Sequence, residues 1–157
     1  MKIVNLKDAI VYFNQKNIIE YLSLLNTLTN VYDSDNELKY MINNFKRQVI
    51  KFPDNVNIFV MIDDNVVIGS GTLVIEQKII HGFSKVGHIE DIVINKNYQG
   101  KGYGKKIIEY LINFSKENNC YKITLGCDDD KIDFYKICQP KKSKLKVINQ
   151  ISYYLDI

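Results

Sequence analysis

The chain is 157 residues long, 46% hydrophobic and 25% charged, proportions that exclude disorder, a collagen-like repeat and a coiled coil. Twenty-one Lys+Arg against 18 Asp+Glu leave a net charge of +3, a mild excess with no concentrated basic face, so nucleic acid is not expected as a partner. No apolar run approaches the roughly 20 residues of a membrane helix. Met1 to Ile10 carries Lys2, Lys7 and Asp8 in place of the apolar stretch of a signal peptide, so a cytoplasmic setting without membrane association is expected.

In chain order, Ala9 to Phe13 is a short apolar run that reads as a first strand. Asn17 with Glu20 reads as a capping box opening a helix, whose apolar positions Ile18, Tyr21, Leu22, Leu25, Leu28 and Val31 keep helical spacing to about Val31. Ser34 with Glu37 is a second box, starting a helix with Leu38, Met41, Ile42 and Phe45 on its apolar face. From Asn55 the period changes: Val56–Ile62 and Asn65–Ile75 read as a hairpin joined by Asp63-Asp64. Gly82–Lys85 reads as a turn and Val86–Ile94 as a further strand. After a glycine loop at 100–104, Lys105–Asn118 is an amphipathic helix with Ile107, Ile108, Leu111, Ile112 and Ser115 on one face. Tyr121–Cys127 reads as a strand, Asp129–Cys138 as a helix and Leu145–Leu155 as a terminal β region. The order β-α-α-β-β-β-α-β-α-β, with no repeat or linker, implies one α+β domain over residues 1–157, its mainly antiparallel sheet flanked by helices. Cys120, Cys127 and Cys138 are odd in number and lack CxxC spacing, so they read as buried reduced thiols rather than a disulfide framework or a zinc site.

The most informative segment is Ile89-Glu-Asp-Ile-Val-Ile-Asn-Lys-Asn-Tyr-Gln-Gly-Lys-Gly-Tyr-Gly104. A strand ends, glycines follow at 100, 102 and 104, and a helix begins. Such a loop turns backbone N–H groups toward one point, where the helix N-terminus adds partial positive charge, a cradle suited to phosphate. Lys101, Lys105 and Lys106 add charge there, although a tight strand-to-helix turn needs glycines for its own reasons. A Walker loop is excluded because Gly104-Lys105-Lys106 lacks the hydroxyl residue, and the upstream hairpins argue against a dinucleotide-binding βαβ unit.

Gln99-Gly-Lys-Gly-Tyr-Gly104 resembles the Gln/Arg-x-x-Gly-x-Gly/Ala acetyl-CoA loop of the GNAT superfamily of N-acetyltransferases. Ile75-Glu-Gln-Lys-Ile-Ile-His81, Gly87-His-Ile-Glu-Asp-Ile92, Asn119-Cys-Tyr-Lys-Ile-Thr-Leu125 and Phe134-Tyr135 make the chain similar to the eukaryotic glucosamine-6-phosphate N-acetyltransferases within it. The resemblance implies a GNAT fold and direct acetyl transfer from acetyl-CoA to the 2-amino group of glucosamine 6-phosphate, on the way to UDP-N-acetylglucosamine, with no metal. It also implies a homodimer.

By the same resemblance, the pyrophosphate of CoA lies on the N–H groups of Gln99, Gly100, Lys101, Gly102, Tyr103 and Gly104. The pantetheine arm pairs with the backbone of Ile92, Val93 and Ile94, and an N–H near Ile92 polarises the thioester carbonyl. Tyr135 matches the tyrosine near the sulfur that protonates or hydrogen-bonds the departing thiolate. On its own, Phe134-Tyr135 also fits an aromatic pair used only for core packing. Glu90 and Asp91 match an acidic pair between sugar and cofactor, with one of them a possible proton acceptor; strand alternation puts them on opposite faces. Lys78, His81 and Thr29 match sugar and phosphate contacts, Thr29 late in the first helix.

The chain also departs from the family. Gly126 stands where an acid usually follows the leucine, which leaves Asp128, Asp129, Asp130 or solvent to take the amine proton. Lys131 replaces an Asn that contacts CoA, and Cys138-Gln139-Pro140 replaces Cys-Gly-Phe. The C-terminal arginine that helps bind the sugar phosphate is absent, with Lys141, Lys142, Lys144 and Lys146 as candidates to replace it, although a lysine run is also an ordinary solvated face. Apart from Lys131 these departures fall on the acceptor side, while the acetyl-CoA side is largely intact, so two alternatives stay open. One is a GNAT enzyme acting on another amine, such as a protein N-terminus or a polyamine. The other is a non-catalytic acyl-CoA-binding regulator.

Overall fold

A computed structural model of the protein describes residues 1–140, 143, 144 and 146–148. Strand β1, Lys2–Asn5, leads into a single helical turn, α1, Leu6–Ala9, capped by the Asn5 side chain on the Lys7 N–H at 2.9 Å. The strand expected at Ala9–Phe13 is therefore not formed. Ala9, Ile10 and Phe13 are buried while Val11 and Tyr12 are exposed, a spacing that suits a helical turn and not alternation.

Helix α2 spans Gln15–Leu25 and α3 spans Asp35–Ile50. The capping box of α2 sits one turn earlier than Asn17–Glu20: the Asn14 side chain accepts from the Asn17 N–H at 3.0 Å, and Asn17 returns the bond at 3.2 Å. The helix stops at Leu25 and not near Val31, because Asn26 Oδ1 takes the N–H of Val31 at 2.7 Å and folds the chain back. At the start of α3, Ser34 Oγ accepts from the Glu37 N–H as expected, while the Glu37 carboxylate takes the Asp33 N–H.

Among the described residues five strands form one sheet in the order β1-β2-β3-β4-β5, with β2 at Val56–Asp63, β3 at Val66–Gln77, β4 at Lys85–Ile94 and β5 at Cys120–Leu125. All neighbours are antiparallel except β4 and β5, which are parallel. The β2–β3 turn is Asp64-Asn65, one residue later than expected, with both residues at positive φ as a type I′ turn requires. Between β3 and β4 the chain makes the one-turn element α4, Ile80–Phe83, which is broken at His81 and Gly82 by left-handed backbone. Helix α5, Tyr103–Glu117, connects β4 to β5. A 3-10 turn at Asp129–Lys131 precedes the short α6, Ile132–Ile137.

Helices α1, α2 and α3 cover one face of the sheet, where Val60, Val67 and Val93 meet Leu6, Tyr21 and Leu22. Helix α5 covers the other, packing Ile107, Ile108 and Leu111 on Phe59, Met61, Ile68, Leu73 and Ile89. The switch of Phe59, Val60 and Met61 between layers is the two-residue period of a strand buried on both sides. Each fully buried Leu or Ile in these layers contributes about 1.5–3 kcal/mol. The α+β sandwich is thus as read from the sequence.

Not all the thiols are buried. Cys138 is, but Cys120 is half-buried, and Cys127, two residues past the end of β5, is exposed. Of the expected β region Leu145–Leu155, residues 146–148 carry no regular structure and the remainder lies outside the described residues, as do Lys141 and Lys142.

Candidate active site

Strand β4 pairs with β5 only from Lys85↔Cys120 to Ile89↔Leu125. Beyond that pair the parallel strands part, and among the described residues positions 90–94 of β4 have a strand partner only on the β3 side. At the parting point β4 is bulged. Thr72 faces Glu90 and Ser70 faces Val93, so Asp91 and Ile92 stand together against Gly71. Asp91 takes up the extra length in the left-handed region, φ 53°. As a result Ile89 and Ile92, three apart, pack in the same layer on α5, which unbroken alternation forbids.

The bulge interrupts regular alternation at Asp91, so it is the bulge and not an even strand that sets how Glu90 and Asp91 diverge. Both are exposed, and they act on different neighbours: the Glu90 charge bears on Tyr135, that of Asp91 on Tyr21. Tyr21, buried on α2, reaches Ser70 Oγ at 3.4 Å, and burial pushes its phenol up to about 12.

Past Ile94, the Gln99 side chain donates to the Ile94 carbonyl at 2.9 Å and so ties the loop to the open segment of β4. Gly100 and Gly102 have φ of 73° and 80°, conformations that cost an L-residue about 1–2 kcal/mol. Gly102 caps α5 with no side-chain bond, so the first-turn N–H groups, from Tyr103 and Gly104 onward, have no capping side chain. The third glycine has another cause. A methyl group on Gly104 would meet Phe134 Cζ at 3.0 Å, so this position lets α6 lie against the start of α5. Lys101 donates to the Asn97 carbonyl and lies over the Tyr98 ring, while Lys106 lies over Tyr103.

That contact brings Tyr135 to the same end of the sheet as the loop. Its ring is half-buried, stacked edge-on against Phe134 at 5.2 Å. Burial raises its phenol above the ordinary tyrosine value, with Cys127, Cys138 and Glu90 adding to the rise. A tyrosine is already protonated at neutral pH; the rise carries its ability to donate further into the alkaline range.

The acceptor-side candidates are less gathered. Lys78 lies just past β3 and pairs with Glu76. His81, in the left-handed turn, stacks on Tyr121 of β5 at 4.6 Å. Thr29 is exposed in the turn after α2, four residues beyond the helix end and not inside it; its backbone N–H reaches Leu25 O at 3.4 Å. Asp128, Asp129 and Asp130 are exposed around the 3-10 turn, where Asp130 pairs with Lys131. Three features escaped the sequence reading: the bulge, the Gly104–Phe134 contact, and a hydrogen-bonded set joining Glu76, His88 and Thr124. Among the described residues no three His, Cys, Asp or Glu side chains come together as a metal site requires.

The profile of the acetyltransferase (GNAT) family matches residues 20–138. Glucosamine 6-phosphate N-acetyltransferase 1 of Dictyostelium discoideum is 39% identical over 110 residues, which span 69% of this chain and 68% of that protein. The glucosamine 6-phosphate N-acetyltransferase of Candida albicans is 39% identical over 83 residues, covering 53% of this chain and 56% of that one. The Arabidopsis thaliana enzyme of the same name is 28% identical over 144 residues, 90% of each chain. The crystal structure of the Arabidopsis enzyme superposes with a TM-score of 0.75 over 99% of this chain and 98% of its own.

Proposed function

The chain belongs to the acetyltransferase (GNAT) family, and we propose that it transfers the acetyl group of acetyl-CoA to the 2-amino group of glucosamine 6-phosphate. The three relatives described above carry that activity in their names. The observation that carries the reading is the parting of β4 from β5 beyond Ile89↔Leu125, with the α5 N-terminus and Tyr135 at the same end.

The residues present fit acetyl-CoA. The first-turn N–H groups of α5, the left-handed glycines at 100 and 102, and Lys101, Lys105 and Lys106 suit a pyrophosphate. The edge of Ile92, Val93 and Ile94 that lacks a β5 partner suits an extended arm with amide groups. Acetyl-CoA supplies the acetyl group as an activated thioester. The Ile92 N–H, set by the bulge, polarises the carbonyl where negative charge develops. Tyr135, kept protonated, gives a proton to the departing sulfur. Glu90 and Asp91, both exposed, orient the amino sugar from β4, and one of them accepts the amine proton. Lys78 and His81 hold the phosphorylated end of the sugar, and Thr29 contributes from the turn after α2. Much of the rate then comes from holding amine and thioester together.

The same reading takes the chain as one GNAT domain acting as a cytoplasmic homodimer on a small molecule. No helix among the described residues is long and apolar enough to cross a membrane. Thiol release from acetyl-CoA, followed with glucosamine 6-phosphate and with unphosphorylated glucosamine, tests the acceptor. Strong preference for the phosphorylated sugar is expected. Equal or no turnover of the two would contradict the reading.

A further inference from the structure

Side chains from three strands are joined across one face of the sheet. Lys78 Nζ donates to Glu76 Oε1, Glu76 Oε2 meets His88 Nε2 at 3.0 Å, and His88 Nδ1 meets Thr124 Oγ1 at 2.9 Å. The hydrogen placement follows from chemistry. A carboxylate only accepts, so Nε2 carries the proton of a neutral imidazole; Nδ1 is then an acceptor and the Thr124 hydroxyl must donate to it. Hydrogen bonds from the Lys78 ammonium and from His88 hold the Glu76 carboxyl below the usual carboxylate range, so it stays an acceptor to lower pH than an ordinary carboxylate.

The position of this set decides its use. His88 is paired with Thr124, and the next pair, Ile89↔Leu125, is the last before β4 and β5 part. Among the described residues these are the only side-chain hydrogen bonds that tie β4 to β3 and to β5. The other end of the set is Lys78, whose ammonium is aimed by one oxygen of Glu76 while His88 fixes the other. Gly126, just past the last pair, offers no side chain to β4. About a third of each of His88 and Lys78 is open to solvent, where an ion pair adds little stability to a fold. An arrangement of low stabilising worth that crosses three strands just before the parting and ends on a lysine fits a positioning role better than a structural one.

Resting on the acceptor reading above, we infer that His88 is a positioning residue for the amino-sugar phosphate: through Thr124 it sets where β5 leaves β4, and through Glu76 it aims Lys78. Thr124→Val removes the hydroxyl and keeps the shape. It is expected to raise KM for glucosamine 6-phosphate about tenfold, the worth of one hydrogen bond, with KM for acetyl-CoA unchanged. Thr124→Ser, which keeps the hydroxyl, is expected to restore it. His88→Ala combined with Thr124→Val is expected to be no worse than the worse single variant, because both break one chain.

A readout independent of turnover comes from imidazole NMR, which has only two histidines, His81 and His88, to resolve. The Nε2–H tautomer is expected at His88, with its signals shifted in Thr124→Val. An active wild type whose acceptor KM does not respond to Thr124→Val would overturn this inference alone. So would additive single variants, or the Nδ1–H tautomer. A wild type that shows the Nε2–H tautomer but releases no thiol with glucosamine 6-phosphate would overturn the acceptor reading, and this role with it.

Discussion

Tyr135 lies on a six-residue helix that has little to hold it except Phe134 against Gly104 and the buried Cys138. Its phenol is raised by burial first and by the Glu90 carboxylate among its neighbours, so the proton stays on further into the alkaline range than on an ordinary tyrosine. Tyr135→Phe keeps the ring packing and removes only the hydroxyl. A fall in kcat of about a hundredfold with little change in the acetyl-CoA dissociation constant is expected, the usual weight of a general acid. In the wild type the alkaline limb of kcat is expected above the ordinary tyrosine value of about 10, and in the variant it is expected to vanish. An unchanged kcat would remove Tyr135 from the mechanism.

The glycine loop shows what was legible at the scale of an element and what was not. A strand ending at Ile94, glycines at 100, 102 and 104, and the apolar stripe from Ile107 to Ser115 are sequence signals, and loop and helix follow them. The separate duties of the glycines were not legible, because only tertiary contact distinguishes them. Gly100 and Gly102 are needed for backbone conformation, Gly104 for the approach of Phe134. The bulge was hidden for a similar reason: Glu90-Asp91 reads as two ordinary strand residues until β3 is laid beside them. The first strand was misplaced because Ala9–Phe13 is more apolar than Lys2–Asn5, although its buried positions follow a helical turn.

Gly104→Ala tests the element most sharply. Its methyl group must push Phe134 aside, at a cost of about 1–3 kcal/mol in urea or thermal unfolding. Since α6 carries Tyr135, kcat is expected to fall beyond what the loss of folded protein explains. Activity per folded molecule equal to wild type would separate α6 from the site.

At the scale of the whole molecule, two buried layers grip one sheet, and the parting of β4 from β5 is built into that grip. Ile89 and Ile92 are fixed on α5 while Val93 is fixed on the α1–α3 side, so β4 cannot lose its bulge without unpacking a core. Tyr21 anchors the second layer. Burial pushes its phenol up to about 12, so the folded chain keeps the proton where the unfolded chain, at about 10, gives it up. Below that window Tyr21 adds no pH dependence. Through it the unfolded state binds fewer protons than the folded one, and stability falls as pH rises. Urea midpoints at pH about 9 and about 11 are expected to differ less for Tyr21→Phe than for the wild type. An identical difference in both proteins would show that Tyr21 ionises as freely folded as unfolded.

The fold class and the glycine loop were readable from residue types at their spacing, whereas Tyr135 came only from the family resemblance, since by itself Phe134-Tyr135 fits core packing. The acceptor side was not readable, since Lys78 and His81 come from the β3–β4 connection and Thr29 from the turn after α2, and only the folded sheet sets their relation. The central claim is an acetyl transfer to one amine. It is tested most directly by following thiol release and product by carbon-13 NMR with labelled acetyl-CoA, offering glucosamine 6-phosphate, glucosamine, a polyamine and a peptide N-terminus in parallel. The account predicts a 2-acetamido sugar phosphate as the main product, with at most slow turnover of the other amines. Faster acetylation of the polyamine or the peptide, or acetyl-CoA binding without turnover of any amine, would contradict it.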